Sequence, residues 1–212
     1  LRSDSADIRG RSVFALEKIG PDARPAIPVL IELLQDRKDH VRAAAASALR
    51  VFGPDARNAI PRLIANLDDA SPEVRSSAAA ALGAIGPEAK AAVPRLSEVL
   101  GKQDPNGNAA GNMVWALGQI GPDAMPAVPL IIRMLNSERQ ERRLEAVGAL
   151  GAIRPADATV IQELASRLDP GDLTMSRRIV ETLGKLGAPA VKTLSGLVSH
   201  KNAELRVAAI RA

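Results

Sequence analysis

The sequence predicts an all-α solenoid, a row of helix–turn–helix units stacked on one continuous interior. Three observations predict it: a turn dipeptide recurring about every 33 residues, two apolar columns in constant phase, and no segment with sustained strand-like alternation. Gly-Pro stands at Gly20-Pro21, Gly53-Pro54, Gly86-Pro87 and Gly121-Pro122, and the phase continues through Arg154-Pro155 and Gly187-Ala188, with spacings of 33, 33, 35, 33 and 33 residues. Four residues before each turn lies a leucine: Leu16, Leu49, Leu82, Leu117, Leu150 and Leu183. One residue before it lies Ile19, Phe52, Ile85, Ile120, Ile153 or Leu186.

Each unit reads as two helices. In the second unit, Val41, Ala44, Ala45, Ala48, Leu49 and Phe52 fall at helical spacing, with Arg42, Ser47 and Arg50 off the stripe, which predicts a short amphipathic first helix. After the turn, Ile60, Leu63, Ile64 and Leu67 mark a second helix that ends at an acidic loop. Glycine suits a helix end that needs positive φ, and the proline behind it cannot continue the first helix. A second proline column, Pro28, Pro61, Pro94 and Pro129, belongs to the first turn of the second helix, where a missing N–H costs little. Gln162 and Ser195 replace it in the last two full units. The units run approximately 4–36, 37–69, 70–102, 103–137, 138–170 and 171–200, with a partial unit at 201–212. One helix pair cannot bury its apolar faces alone, so the pairs must stack, into a rod or arc on the order of 60 Å long.

Composition narrows function. With 46% hydrophobic residues and a mean hydropathy near zero, the balance is that of a soluble protein, and no run approaches a membrane span or a secretory signal. The chain begins at Leu1 without Met and stops within a helical pattern at Arg211-Ala212, as expected of a piece of a longer protein; it carries no address to a compartment. No cysteine excludes disulfides, thiolate nucleophiles and thiolate metal sites. Two histidines, His40 and His200, both expected in loops between units and far apart in sequence, make a shared metal or catalytic site improbable. One Trp, two Phe and no Tyr leave little for stacking on bases. The net charge of +4 is compatible with an acidic partner without requiring one.

The strings DARNAIPRLIANLDDASPEVRSSAAAALGAIGPEAK and IGPDARPAIPVLIELLQD resemble the short HEAT-like repeats named after phycobilisome lyases, and the resemblance covers essentially the whole chain. Neither the ankyrin nor the tetratricopeptide signature is present. The resemblance implies a right-handed α-solenoid of about six and a half HEAT-like units, with first helices on the outer convex side and second helices on the inner concave side. Functions in that class range over scaffolding, partner docking, chromophore attachment and DNA repair, so the fold leaves function open.

Three features stand out against the repeat. Arg9, Arg42, Arg75, Arg143 and Arg206 open the first helix in most units, with Asp36 and Asp69 six residues before Arg42 and Arg75; the resemblance implies a structural tie between units. Arg24, Arg57 and Lys90 form a column at the start of the second helices, with Arg62 and Arg95 beside it; this is either a basic stripe for an acidic protein or phosphates, or, as favoured here, a solvated face interrupted by Glu32, Asp55, Glu88 and Glu98. The loop GKQDPNGNAAGN into the fourth unit is two residues longer than its counterparts. Beyond it Trp115 occupies the column of Phe14, Ser47, Ala80, Gly148 and Glu181, either as an exposed anchor for a partner or as filler for the altered loop.

Together these features predict a non-enzymatic protein-interaction scaffold with no catalytic, cofactor or metal residues, and Trp115, Arg24, Arg57, Arg62, Lys90 and Arg95 as partner-binding candidates. Nucleic-acid binding through the basic column is the alternative, and a lyase or glycosylase type of enzyme stands third.

Overall fold

The computed structural model describes residues 1–212 except Pro105. Helices alternate in length along the chain: α1 (Ala6–Ile19) and α2 (Ile27–Leu33), α3 (Asp39–Phe52) and α4 (Ile60–Asn66), α5 (Pro72–Ile85) and α6 (Val93–Gly101), α7 (Asn108–Ile120) and α8 (Val128–Met134), α9 (Gln140–Ile153) and α10 (Ala158–Ala165), α11 (Leu173–Leu186) and α12 (Val191–Val198), then α13 (Ala203–Arg211). Among the described residues there is no strand, and no helix is long and apolar enough to cross a membrane. Two expectations shift by a few residues. The fourth unit's long loop narrows to 102–107, with Pro105 outside the described residues, and His40 sits in the first turn of α3 rather than in a loop.

The second helix does not start directly after Gly-Pro. A 3₁₀ turn intervenes at Gly20–Ala26, Gly53–Ala59, Gly86–Ala92 and Gly121–Ala127, and the proline of the second column follows as the second residue of the α-helix. With three residues per 3₁₀ turn, side chains three apart eclipse. Ala56 and Ala59 therefore both face the core, fully buried, and Arg57 between them is turned outward. The preceding glycine makes this geometry accessible: Gly121 has φ 80° and ψ −141°, a region closed to L side chains. Arg154, in the glycine's place in the fifth unit, adopts φ 58° and ψ 52° instead; there the 3₁₀ turn is missing and Asp157 caps α10 by accepting from the Thr159 N–H at 2.7 Å.

Leu49, Leu82, Leu117, Leu150 and Leu183 are all fully buried, each stabilising the fold by about 1.5–3 kcal/mol. Both apolar columns break in the first unit, where Leu16 is only half-buried. Ile19 is 57% exposed because α1 has no helix packed on its outer side, whereas Phe52, Ile85, Ile120, Ile153 and Leu186 are covered by their neighbours. Internal first helices are also buried over more of their circumference than one stripe predicts. In α3, Val41, Ala43, Ala45, Ala46, Ala48, Leu49 and Phe52 are buried, since it lies between α1, α5 and α2, the second helix of the preceding unit.

The arginine column ties the loops together, in a register different from the expected one. Arg9, Arg42, Arg75, Arg143 and Arg206 each donate Nη1 to a carbonyl six residues earlier, at 2.7–2.8 Å. The carboxylates, however, pair with the arginine 27 residues back: Asp36 receives Arg9, and Asp69 receives Arg42 through Nε and Nη2 at 2.6 and 2.8 Å. Arg9 and Arg42 thus each join the loop before their unit to the loop after it. Their arginines, outweighing the cost of burial, hold the Asp36 and Asp69 carboxyls below the usual carboxylate range, helped by backbone N–H donors from Lys38 and Ser71.

First helices contact one another along most of their length, while second helices touch chiefly the first helix and 3₁₀ turn of the next unit and hardly meet one another. Glycine enables the close row: a Cβ at Gly118 would stand 3.0 Å from the Ala149 Cα, and one at Gly151 3.1 Å from the Thr182 Oγ1. The row with the closer spacing is the inner one, so the stack bends toward its first helices. This reverses the orientation implied by the family resemblance: the first helices line the concave side.

Candidate partner-binding face

The exposed strip of the first helices is a groove. On α3 it presents Ser47 and Arg50, on α5 Ser76, Ser77 and Ala80, on α7 Asn112 and Trp115, on α9 Glu145 and Gly148, and on α11 Arg178 and Glu181. Three hollows lie along it. One of about 410 Å³ is lined by Ser47, Arg50, Ser77, Asn112 and Trp115, the next of about 580 Å³ by Trp115, Gly118, Gly148, Ala149 and Arg178, and a third of about 620 Å³ by Arg177, Lys185, Val207 and Arg211. They are continuous, since Trp115 and Glu145 border the first two and Arg177 and Glu181 the last two.

Trp115 stands at the ridge between the first two hollows, 38% exposed. It sits two helical turns beyond the loop at 102–107, so it does not fill space left by that loop. Its ring is seated on α5: a Cβ at Gly83 would be 2.5 Å from the indole Cζ3 and 2.9 Å from the Ala116 Cα. The Cε3–Cζ3 edge of the indole thereby rests on the backbone of α5, and part of the remaining surface is open to the groove. In the first unit Phe14 holds the same column, 57% exposed, with the Lys18 ammonium 5.1 Å from its ring centre.

Acidic groups in the groove are engaged. Glu145 pairs with Arg142, Glu181 with Arg178 at 3.7 Å, and Glu204 with Arg177. Glu17 accepts from the Ser47 hydroxyl at 3.1 Å, and the Asn112 amide donates to the Ser76 hydroxyl at 2.6 Å. The arrangement offers an aromatic surface, small-residue hollows and cations. Among the described residues no group of three or more His, Asp or Glu is placed to hold a metal ion.

The family model for HEAT repeats matches residues 1–66 and 93–174, and a second HEAT repeat model matches residues 59–89. The chain belongs to the HEAT repeat family. Solved structures similar to this HEAT array include an engineered protein, 22% identical with a TM-score of 0.76, covering all of this chain and 65% of its own. The complex of CpcE and CpcF of phycocyanin lyase from Nostoc sp. PCC7120 is 24% identical, with a TM-score of 0.62 over all of this chain and 83% of the other. A designed armadillo repeat protein is 20% identical, with a TM-score of 0.60 over 99% of this chain and 93% of its own. Among curated proteins there is no match. These likenesses are of fold.

The HEAT array separates the six residues that the sequence marks as partner-binding candidates. Trp115 lies in the groove, and the other five lie on the opposite side, on the 3₁₀ turns and second helices. There Arg24 meets Asp55 of the next unit at 2.6 Å, Arg57 meets Glu88 at 3.9 Å, and Arg95 is held between Asp68 and Glu98. Lys90 and Arg62 are exposed. The solvated-face reading of this column fits these pairings, because three of the acids interrupting it, Asp55, Glu88 and Glu98, are its partners, while Glu32 meets Arg2.

Sequence reasoning passed over the glycines that shape the groove. The signal was present as a Leu-Gly pair repeated at Leu82-Gly83, Leu117-Gly118, Leu150-Gly151 and Leu183-Gly184, against Leu16-Glu17 and Leu49-Arg50 in the first two units. Arg50 and Arg178 carried no mark of their own, because nothing along the chain tells which of two exposed faces is the concave one.

Proposed function

We propose that the chain is a non-enzymatic scaffold that receives a protein partner in the groove of its first helices, with Trp115 as the central anchor. One observation carries this reading: the sole tryptophan of the chain stands exposed between two continuous hollows, one edge of its ring resting on Gly83. A rigid aromatic held in place beforehand loses little entropy on binding, and such residues dominate interface energetics. Stacked repeats supply the remaining surface without reorganisation. The CpcE–CpcF neighbour is by its description a complex of two proteins, which accords with a scaffold role. A protein is favoured over nucleic acid because three of the five cations on the opposite side, Arg24, Arg57 and Arg95, are paired with their own acidic neighbours.

The test follows from composition. With one Trp and no Tyr, the emission of the chain reports Trp115. A bound partner is expected to shift that emission, and Trp115→Ala to weaken binding by about 2 kcal/mol or more. Arg62→Ala, on the far side, is expected to leave affinity unchanged. A partner whose binding leaves the emission and the Trp115 variant unaffected overturns the assignment.

A further inference from the structure

Resting on that reading of the groove, we propose that its occupant is an extended acidic segment of the partner protein carrying one bulky apolar side chain. The apolar side chain seats in the hollow between Trp115 and Arg178, and carboxylates to either side meet Arg50 and Lys185.

Charge gives the first argument. The carboxylates lining the hollows, Glu145, Glu181 and Glu204, are each engaged by an arginine, whereas Arg50, Lys185 and Arg211 have no ion pair among the described residues. The surplus in the groove is therefore cationic, and a concave low-dielectric wall focuses that field on whatever enters. Acidic side chains of a partner gain from it, while basic ones are repelled.

Shape gives the second. The central hollow has a floor of Gly118, Gly148, Ala149 and Ala152, an indole for one wall and a guanidinium for the other. At Gly148 a Cβ would come 2.5 Å from Arg178 Nη2, so the missing side chain is what lets the guanidinium lie against the backbone at the edge of the hollow. Such a slot takes an aliphatic or aromatic side chain against Trp115.

Length gives the third. Arg50 on α3 and Lys185 on α11 are four helix-to-helix steps apart, roughly 35 Å at about 8–10 Å per step. An extended peptide of about eleven residues spans that distance at about 3.3 Å per residue. Trp115 on α7 falls midway, which places the apolar residue near the centre of the segment.

Fluorescein-labelled peptides of about twelve residues test the proposal by anisotropy together with Trp115 emission. One is built of Asp and Glu around a central Leu-Phe, the second replaces the acids with Asn and Gln, and the third keeps the acids with a Gly-Gly centre; single-stranded DNA of similar length is the fourth probe. The expected result is that the first binds and shifts the emission, and that the second and third bind at least about tenfold more weakly. Arg50→Ala and Lys185→Ala are each expected to weaken the first by roughly threefold to fivefold. Gly148→Val, which leaves Trp115 in place, abolishes the emission shift. Equal binding of the neutral peptide with the same shift overturns the acidic requirement and leaves the groove as the binding face. Equal binding of DNA at Trp115 overturns the peptide as occupant. Peptide binding that survives Trp115→Ala without any emission change overturns the groove itself, and no binding by any peptide overturns the proposal.

Discussion

The Trp115 indole occupies the space that a side chain at residue 83 would need: a Cβ on Gly83 would lie 2.5 Å from Cζ3 and 2.7 Å from Cε3 of the ring. The aromatic ridge of the groove and a glycine 32 residues earlier are one feature. Gly83→Ala is expected to destabilise the fold by about 1–3 kcal/mol despite alanine's better helix propensity, because the ring and the Ala116 backbone must both move. Adding Trp115→Ala relieves the ring but not the backbone contact, so the double variant recovers only part of the loss. Urea midpoints of the three variants check this; full recovery would mean that the helices are not held at that spacing.

The arginine–aspartate ladder predicts an acid limb to stability. Folding lowers the carboxyl pKa of Asp36 and Asp69, so their contribution is fully present above the ordinary value of 3.8 and is lost as pH falls through the lower folded value. Asp69→Asn, which keeps an oxygen for the Ser71 N–H, is expected to cost about 1–3 kcal/mol at neutral pH. Its stability is expected to fall less steeply below pH 3.8 than that of the parent. Denaturation midpoints as a function of pH decide it, and parallel curves would contradict the assignment.

Arg154 is the single non-glycine residue with positive φ among the described residues. Arg154→Gly removes a left-handed side chain and is expected to raise the unfolding free energy by about 1 kcal/mol. Thermal melts measure it. A lowered melting temperature would show that the arginine side chain contributes more than its backbone costs.

On the far side, Arg24 and Asp55 are 62% and 46% exposed, and exposed pairs are worth little. Arg24→Ala is expected to change stability by under about 1 kcal/mol. It should not alter the affinity of any ligand that shifts Trp115 emission. A matching loss of affinity would move the binding face to the turns.

Gly148→Ala separates folding from binding. The Cβ meets only the far end of the Arg178 side chain, which can swing away, so stability is expected to hold or rise by up to about 1 kcal/mol while groove affinity falls. Melting temperature and peptide anisotropy on one sample report both.

By itself the sequence determined the repeat, its turns and its core. The Gly-Pro phase and the Leu49, Leu82 and Leu117 column follow from local rules of helix termination and periodic burial, and these need no neighbour to be read. Tertiary structure alone decided which row of helices lies on the inside of the curve. That depends on how closely Gly118 approaches Ala149 and how far the 3₁₀ turns hold the second helices apart, distances set between units rather than within one. The same packing placed Trp115 in the groove and put Arg24, Arg57, Arg62, Lys90 and Arg95 on the other side. A column of like residues in sequence records a shared position in the repeat, and only the stacking of one unit on the next gives that position a face.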